Sequence, residues 1–509
     1  MFESAAWLIV WPLVIPILGA ALSAAAWGRV QLQSFIGIAG LGAQCVASIA
    51  LLTHVWDHGV VAMSMGGWQA PFGIALAADT LGAGLTVVGS IVGLIVAVHG
   101  IGSTEVELRR AGFIPLLLAL MAGVAGAFLT SDIFNLYVWF EVTLISSFGL
   151  IVLGGRREQI DSTVKYAFLN LIATTLLLIA IALLYGLTGT LNMADLSGKV
   201  ATLPQDSTLE TVALLFLVSL GMKAALFPVY FWLPAAYHTP LPSVSAIFAA
   251  LLTKVGVYSL IRVFSLVFPD SGDMARDAMI WIAVATMVLG ALGTLAESDI
   301  RRFVSFTIVS GVGVMAGGLA LGTEAAFLGT IFYFVHSIII SAGLFIAAGM
   351  IAVAGKTMRI EELAGLYKRA PFLAVAFLIV GLSLAGVPPL AGFWPKVFLV
   401  QAGHEAGSTI LVAGILLSGF LTLVAVGRVF ALVFWRADED ETPVKEAGPL
   451  VKGSLGAFAV MTIIIGLYSA PVVEMSSRSA EELLSPNAYI STVLGKPMAE
   501  IADVKEATQ

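Results

Sequence analysis

Five titratable side chains lie inside hydrophobic stretches of this chain, far from its loops. They are Glu141, Lys223, Lys254, His336 and Lys396. A charge at the centre of a bilayer costs at least about 2.5–3.5 kcal/mol, so such groups are usually functional. A carboxylate and an ammonium group at matching depth stabilise each other's charged form, and histidine titrates near neutral pH. The set predicts a path for protons or ions through a protein interior.

The composition indicates that this interior is surrounded by lipid. Of the 509 residues, 59% are hydrophobic and only 11% are charged, whereas a typical soluble domain carries about 25% charged residues. Apolar runs of roughly 20 residues recur along the chain, as in polytopic helical proteins. The first run has the length of a span and no basic segment before it, so we interpret it as a retained helix. The lone Cys45 excludes an internal disulfide, and neither a metal site nor a cofactor is expected.

The hydrophobic runs predict an all-α membrane protein with fourteen transmembrane helices. Their expected limits are 5–26, 33–54, 79–101, 110–130, 132–154, 163–186, 209–236, 242–266, 277–296, 303–322, 325–353, 371–402, 408–435 and 451–472.

Basic residues in the loops predict the orientation of these helices. One side has only Lys199 and Arg276, together with Arg478, Lys496 and Lys505 of the C-terminal tail. The positive-inside rule makes the other side cytoplasmic, so both termini are expected to be extracytoplasmic. The cytoplasmic set is Arg29, Arg109, Arg110, Arg156, Arg157, Lys165, Arg301, Arg302, Lys356, Arg359, Lys368, Arg369, Arg436, Lys445 and Lys452. Arg262 and Arg428, near span ends, are expected to snorkel to the surface.

Prolines predict that the seventh and twelfth helices are broken. Pro228 interrupts the seventh helix, and Pro388, Pro389 and Pro395 interrupt the twelfth. A proline inside a helix removes a hydrogen bond and frees a carbonyl group. Freed backbone at membrane depth is tolerated where it is buried in protein or lines a wet cavity. The alternative is that these prolines only kink the helices.

The two breaks lie five helices apart, which predicts an internal repeat. Because five is odd, the second unit must be inverted relative to the first, as in many transporters with sites at mid-membrane. The expected parts are an N-terminal three-span segment (1–109), two five-span repeats (110–266 and 277–435), a final span (451–472) and an extracytoplasmic tail (473–509).

Each titratable residue has a possible transport role and a structural alternative. Glu141 and Lys223 lie at similar depth and could form a proton switch, or a static ion pair. Lys254 could carry a proton, because a buried lysine releases its proton more easily. His336 suits a relay but could also be hydrogen-bonded packing. Lys396 follows Pro395 directly and is placed to serve the second half of a pathway.

Acidic residues at the starts of helices have a simpler interpretation. Asp79 and Asp132 begin predicted spans, and Asp299 precedes one. Aspartate is favoured at this position because its carboxylate accepts hydrogen bonds from the free backbone N–H groups of the first turn. We therefore expect these three residues to cap helices and not to carry ions.

At these residues the chain resembles the antiporter-like proton-pumping subunits shared by respiratory complex I and the Mrp-type multisubunit cation/proton antiporters. The matching motifs are Phe140–Glu141, Lys223 with Phe227–Pro228, Trp232–Pro234, Pro242–Ala246, Lys254–Tyr258, Glu297–Arg302 and Gly392–Lys396. Two further stretches resemble the D-type subunits of the Mrp antiporters, namely Gly66–Gly73 running into Asp79, and Glu481–Leu494.

The resemblance implies a fourteen-span fold with two inverted five-helix bundles. It also implies that Glu141, Lys223, Lys254, His336 and Lys396 form the proton path. One position departs from the family, which usually has a lysine five residues after the histidine, where this chain has Ser341. We hypothesise that water held by Ser341, Ser337 and His336 bridges the gap.

The leading hypothesis is a non-enzymatic membrane subunit of a multisubunit Na⁺/H⁺ antiporter. Its expected partners are the other subunits of that complex, and its expected location is a bacterial cell membrane. The expected transported ions are protons and Na⁺, with K⁺ or Li⁺ as alternatives to Na⁺. The alternative is a pumping subunit of a complex I-like or hydrogenase-like redox complex, which would differ in its partners and not in its pore. A membrane-embedded lipid or glycan transferase would need catalytic groups at a membrane face and large soluble loops, and this chain has neither.

Overall fold

The computed structural model describes residues 6–204, 206–269, 272–437 and 447–496. Within these ranges the chain is almost entirely helical, as the apolar runs predict. Two basic residues used for orientation, Lys445 and Lys505, lie outside the described residues, as does the start of the first predicted span.

The N-terminal part contains three long helices and a small sheet. Strands β1 and β2 pair antiparallel, with Val61 opposite Ala78 and Ser64 opposite Ala75. This hairpin is an unpredicted feature of the predicted outer side. The elements are α1 (Trp11–Ala25), α2 (Val30–His58), β1 (Val61–Ser64), β2 (Ala75–Ala78) and α3 (Thr80–Ser103).

The predicted first repeat contains seven helical segments. Its last helix, α10, is entirely buried within the protein. Its segments are α4 (Ile114–Leu129), α5 (Ile133–Ile151), α6 (Arg157–Thr188), α7 (Met193–Thr202), α8 (Ser207–Ala224), α9 (Trp232–Tyr237) and α10 (Pro242–Val267).

The predicted second repeat is centred on a long helix, α13, that packs against both halves. It contacts α10 of the first repeat as well as α12, α14 and α15 of its own. The elements are α11 (Gly272–Ala296), α12 (Ile300–Leu321), α13 (Glu324–Gly355), α14 (Pro371–Ala385), α15 (Phe393–Glu405) and α16 (Thr409–Trp435).

The predicted tail is helical and packed over its described part. Helix α17 (Pro449–Leu467) is followed by α18 (Ala470–Leu484) and α19 (Asn487–Leu494). Helix α18 lies against α13 and α3, and α19 lies against the β1–β2 hairpin. The rest of the predicted tail, 497–509, lies outside the described residues.

Twelve helices in the described part are long and apolar enough to cross a membrane. Two shorter apolar helices, Trp11–Ala25 and Pro371–Ala385, coincide with the predicted first and twelfth spans. The all-α membrane fold is therefore confirmed, whereas the count of fourteen spans and the division into domains stay predictions.

Aspartates define where several helices begin. Asp79 accepts a hydrogen bond from the Gly82 N–H, and Asp132 accepts one from the Asn135 N–H. Asp299 accepts bonds from the backbone of the first turn of α12. The capping roles predicted for these three residues are confirmed, since each carboxylate satisfies N–H groups that a helix start leaves free.

Both predicted helix breaks are present. Helix α8 ends at Ala224, and α9 begins at Trp232 beyond Pro228. Helix α14 ends at Ala385, and α15 begins at Phe393 beyond Pro388 and Pro389. Pro395 lies in the first turn of α15, where a proline costs no hydrogen bond, so it is not itself a point of breakage.

Candidate functional site: a buried line of charged side chains

Lys254 is the most deeply buried charged residue of the site. It lies on α10, is 0% exposed, and follows a π-helical turn over Phe248–Leu252. Its Nζ donates to the Ala249 carbonyl oxygen at 2.7 Å and to the Ser341 Oγ at 3.2 Å. Because Ser341 lies on α13, this second bond connects the two predicted repeats directly.

His336 lies on the same helix as Ser341, little more than one turn earlier. Its imidazole is 1% exposed, and neither ring nitrogen has a hydrogen-bond partner among the described residues. The ring packs edge-on against Tyr333, with centroids 5.6 Å apart. The ring also lies close to Gly392, since a Cβ added at that glycine would be 2.9 Å from the imidazole. His336 therefore touches the second helix break.

Lys396 lies in the first turn of α15, immediately after that break. Its Nζ donates to the carbonyl oxygens of Leu384 and Ala385 at 3.0 and 2.7 Å. These carbonyls end α14, so the ammonium group lies at the negative end of a helix dipole. Lys396 also lines a cavity of about 610 Å³ between α15 and α16. Lys254 and Lys396 both act electrostatically on His336.

Lys223 lies at the other end of the line, in the last turn of α8. It is 5% exposed, and its Nζ lies 4.8 Å from the centre of the Phe140 ring. Such a cation–π contact stabilises a desolvated ammonium group. Because Gly256 has no side chain, α10, which carries Lys254, can pack closely against the end of α8. A Cβ at Gly256 would lie only 2.7 Å from the Ala224 nitrogen.

Glu141, next to Phe140, is close to Lys223 without touching it. The two residues interact electrostatically, but among the described residues they form no ion pair within 4.0 Å. Glu141 is only partly buried, and its Oε1 has no hydrogen-bond partner among the residues described. The predicted pair is therefore two charges that interact electrostatically and do not form a closed salt bridge.

The two helix breaks have matching local geometry. The residue after α8 is Ala225 with φ 66°, and the residue after α14 is Gly386 with φ 89°. In each break a tryptophan supplies a hydrogen bond: the Trp232 indole donates to the Met222 carbonyl, and the Trp394 indole to the Gly466 carbonyl. Lys223 precedes the first break, at the end of α8, whereas Lys396 follows the second break, at the start of α15.

A second charged cluster, near the predicted outer side, was missed by sequence reasoning. Arg262 forms an ion pair of 2.7 Å with Asp79, and both side chains are 3–4% exposed. Arg262 also donates to the Tyr258 hydroxyl and stacks on the Tyr489 ring. The prediction that Arg262 snorkels is wrong, because a buried carboxylate already neutralises it. The only signal was that Asp79 and Arg262 both lie at span ends on one predicted side.

The described residues contain no group of three or more His, Cys, Asp or Glu side chains that could hold a metal. What the structure brings together is a row of ionisable groups in an apolar, helical surrounding. Such a row can hold and pass protons because each charge alters the protonation of its neighbour. Fold and site together define a polytopic membrane protein of the antiporter-like class.

Comparison with known proteins agrees with this class and narrows it. A family described as NADH:quinone oxidoreductase/Mrp antiporter, transmembrane, matches residues 130–422, and the chain belongs to this family. The chain is 38% identical to the D subunit of the Na(+)/H(+) antiporter of Bacillus subtilis (strain 168), over 96% of this chain and 99% of that one. It is 39% identical to the protein of the same name from Alkalihalophilus pseudofirmus, with 96% and 99% covered.

Solved structures have the same fold over nearly the whole chain. A chain of the Mrp complex from Dietzia sp. DQ12-45-1b superposes with a TM-score of 0.90 at 30% identity, covering 96% of this chain and 99% of that one. A chain of respiratory complex I from Thermus thermophilus gives a TM-score of 0.80 at 23% identity, covering 94% and 99%, which shows the fold alone.

Proposed function

We propose that this chain is the D-type membrane subunit of a multisubunit Na⁺/H⁺ antiporter. It conducts protons along the line Glu141, Lys223, Lys254, Ser341, His336 and Lys396. The observation that carries the proposal is the hydrogen bond from Lys254 to Ser341. This bond supports the proposal because it joins the buried Lys254 ammonium group on α10 to α13, the helix that bears His336.

The same proposal includes partners and orientation. Relatives along the whole chain are named as subunits of Na(+)/H(+) antiporters, and a similar chain is part of an Mrp complex. The chain is accordingly expected to work with the other subunits of such a complex in a bacterial cell membrane. The distribution of loop Lys and Arg residues supports termini on the extracytoplasmic side.

The alternative, a pumping subunit of a redox complex, is less well supported. Complex I matches at 23% identity, and a sulfane sulfur reductase complex at 26%. Both values are below the identity to the antiporter subunits. The two functions share the charged line and differ in partner subunits, so the subunits that co-purify with the chain distinguish them.

The proposed function is tested by removing the charge of Glu141 or Lys223. The antiporter complex carrying Glu141→Gln or Lys223→Ala is incorporated into vesicles, and Na⁺-dependent proton movement is followed with a pH-sensitive dye. We expect loss of exchange in both variants and unchanged assembly of the complex. Glu158→Gln, in the exposed first turn of α6, is the matched control. Wild-type exchange in the Glu141 and Lys223 variants would contradict the proposed path.

A further inference from the structure

A cavity of about 460 Å³ opens on the predicted cytoplasmic side, where several helices meet. The ends of α3 and α13 and the starts of α10, α12, α14 and α17 line it. A second cavity of about 420 Å³ adjoins it and shares Ser103, Thr104 and Arg301 in its wall. Neither cavity contains a residue of the proposed proton line.

The wall of this cavity is cationic. Arg301, Arg369 and Lys452 line the larger part, whose described wall contains no aspartate or glutamate. The smaller part adds Arg156 and a single acid, Glu105. Arg369 and Lys452 take part in further interactions of their own. The inference therefore rests on Arg301.

Arg301 is buried, and Asp299 acts on it electrostatically without forming an ion pair within 4.0 Å. It is 6% exposed, and it forms no ion pair among the described residues. Its Nη1 donates to the carbonyl oxygens of His238 and Pro240 at 3.1 and 2.9 Å, whereas its Nε has no hydrogen-bond partner in the described part of the chain. A buried guanidinium group with an unused N–H is costly unless an acceptor, best an anionic one, is close.

Neighbouring groups add hydrogen-bond donors, and the acid of the adjoining smaller cavity is Glu105. His99 lines the cavity and is 2% exposed, and its Nδ1 lies 3.4 Å from the Ser103 Oγ. Helices α14 and α17 begin at Pro371 and Pro449 beside the cavity, so their positive dipole ends lie there. His238 adds no charge of its own, because burial lowers its pKa.

One wall of the cavity is apolar and partly exposed. Met350, Val353 and Phe372 line it, and the last two are 65% and 40% exposed. A cationic floor beside an exposed apolar wall, at the predicted cytoplasmic end of the spans, is the arrangement that accommodates a phospholipid headgroup and its acyl chains. The apolar wall would not stabilise a bound free phosphate ion, because such an ion has no acyl chains to pack against it.

We propose that this cavity binds the phosphate group of an anionic phospholipid, with the Arg301 guanidinium as its principal ligand. His99 supplies a hydrogen bond, and the apolar wall holds the acyl chains. The lipid would then fix the start of α14 against the ends of α3 and α13, and so join the two helical repeats at one surface of the membrane.

The sharpest test places a negative charge in the cavity without touching Arg301. Ser103→Asp introduces a carboxylate where the phosphate would bind, and Ser103→Asn is its neutral control of nearly equal size. The complex is purified and transferred into vesicles of phosphatidylcholine, with or without phosphatidylglycerol. Its melting temperature is then measured, and bound lipid is identified by mass spectrometry.

We expect phosphatidylglycerol to raise the melting temperature of the wild type and of Ser103→Asn, and to co-purify with both. It should do neither for Ser103→Asp. Arg301→Gln should behave like Ser103→Asp, while Arg302→Gln, which alters an exposed neighbour paired with Glu297, should behave like the wild type.

Two outcomes would overturn the proposal. An equal effect of phosphatidylglycerol on Ser103→Asp and Ser103→Asn would mean that the lipid binds elsewhere. If inorganic phosphate in detergent reproduced the stabilisation in full, the ligand would be a free anion and not a lipid.

Discussion

The Lys254 ammonium donates a hydrogen bond of 3.2 Å to the hydroxyl of Ser341, which is 87 residues later in the chain. A lysine is usual at the position of Ser341 in the family that the sequence resembles. If position 341 were a lysine, its ammonium group would repel that of Lys254 at this distance. With a serine there, the two residues are joined by a hydrogen bond instead. Here the serine contacts the charge directly. His336, whose ring nitrogens have no hydrogen-bond partner in the described part of the chain, lies on the same helix.

Removing the Ser341 hydroxyl should slow proton transfer between the halves. A hydrogen bond to a charged group contributes about 1.5–3 kcal/mol, so Ser341→Ala should lower Na⁺-dependent proton movement by roughly 10–100-fold if this link limits the rate. Ser341→Thr keeps the hydroxyl and should retain most of the activity. Equal rates for the alanine and threonine variants in the vesicle assay would mean that the hydroxyl is not part of the path.

We expect transport to require that Lys254 and Lys396 release protons, and not only that they carry a positive charge. Arginine stays protonated in proteins, and a positioned proton-transferring side chain typically contributes about 10²–10⁴-fold to a rate. Lys254→Arg and Lys396→Arg should therefore lose about 10²-fold or more of transport. Lys165→Arg, at an exposed pair with Asp161, should leave it unchanged. Normal transport in the first two variants would show that fixed charge is sufficient.

Much of this architecture could be predicted from the sequence because the bilayer imposes strong constraints. Apolar runs must be helices, aspartates begin several of them, and Pro228 and Pro388 mark interruptions that the structure contains. The direct Lys254–Ser341 contact could not be predicted, because it depends on how two helices far apart in sequence pack. The position of a residue within an apolar run indicates its depth in the membrane, but it does not indicate which residues of other helices lie next to it.

The cluster around Asp79 illustrates the same limit. An aspartate before an apolar run predicts a helix cap, and that role is present. The ion pair joins this aspartate to Arg262 on α10, and α19 brings Tyr489 against the same guanidinium group. Helix α19 lacks the hydrophobic length by which spans are recognised. Contacts between elements so far apart in sequence are visible only in the folded chain.

Gly256 should be required for the approach of α10 to the end of α8. An added Cβ would meet backbone atoms of Ala224 at 2.7 and 2.9 Å, and backbone cannot move aside like a flexible side chain. Gly256→Ala should lower the free energy of unfolding by about 1–3 kcal/mol and impair transport by displacing Lys223. Gly427→Ala, where an added Cβ meets nothing within 4 Å, is the control. Equal melting temperatures for the two variants would refute the close contact.

The buried Asp79–Arg262 pair should be essential for stability at the predicted outer side. Breaking such a pair leaves an uncompensated charge and costs about 3–5 kcal/mol, whereas removing both charges costs less. Asp79→Asn should therefore lower the melting temperature of the complex strongly, since Arg262 is 3% exposed. The double variant Asp79→Asn/Arg262→Gln should recover part of the loss. Asp161→Asn, which breaks an exposed pair with Lys165, should change little. If the double variant is no more stable than Asp79→Asn alone, the aspartate acts mainly through its cap on α3, and the charge pairing contributes little.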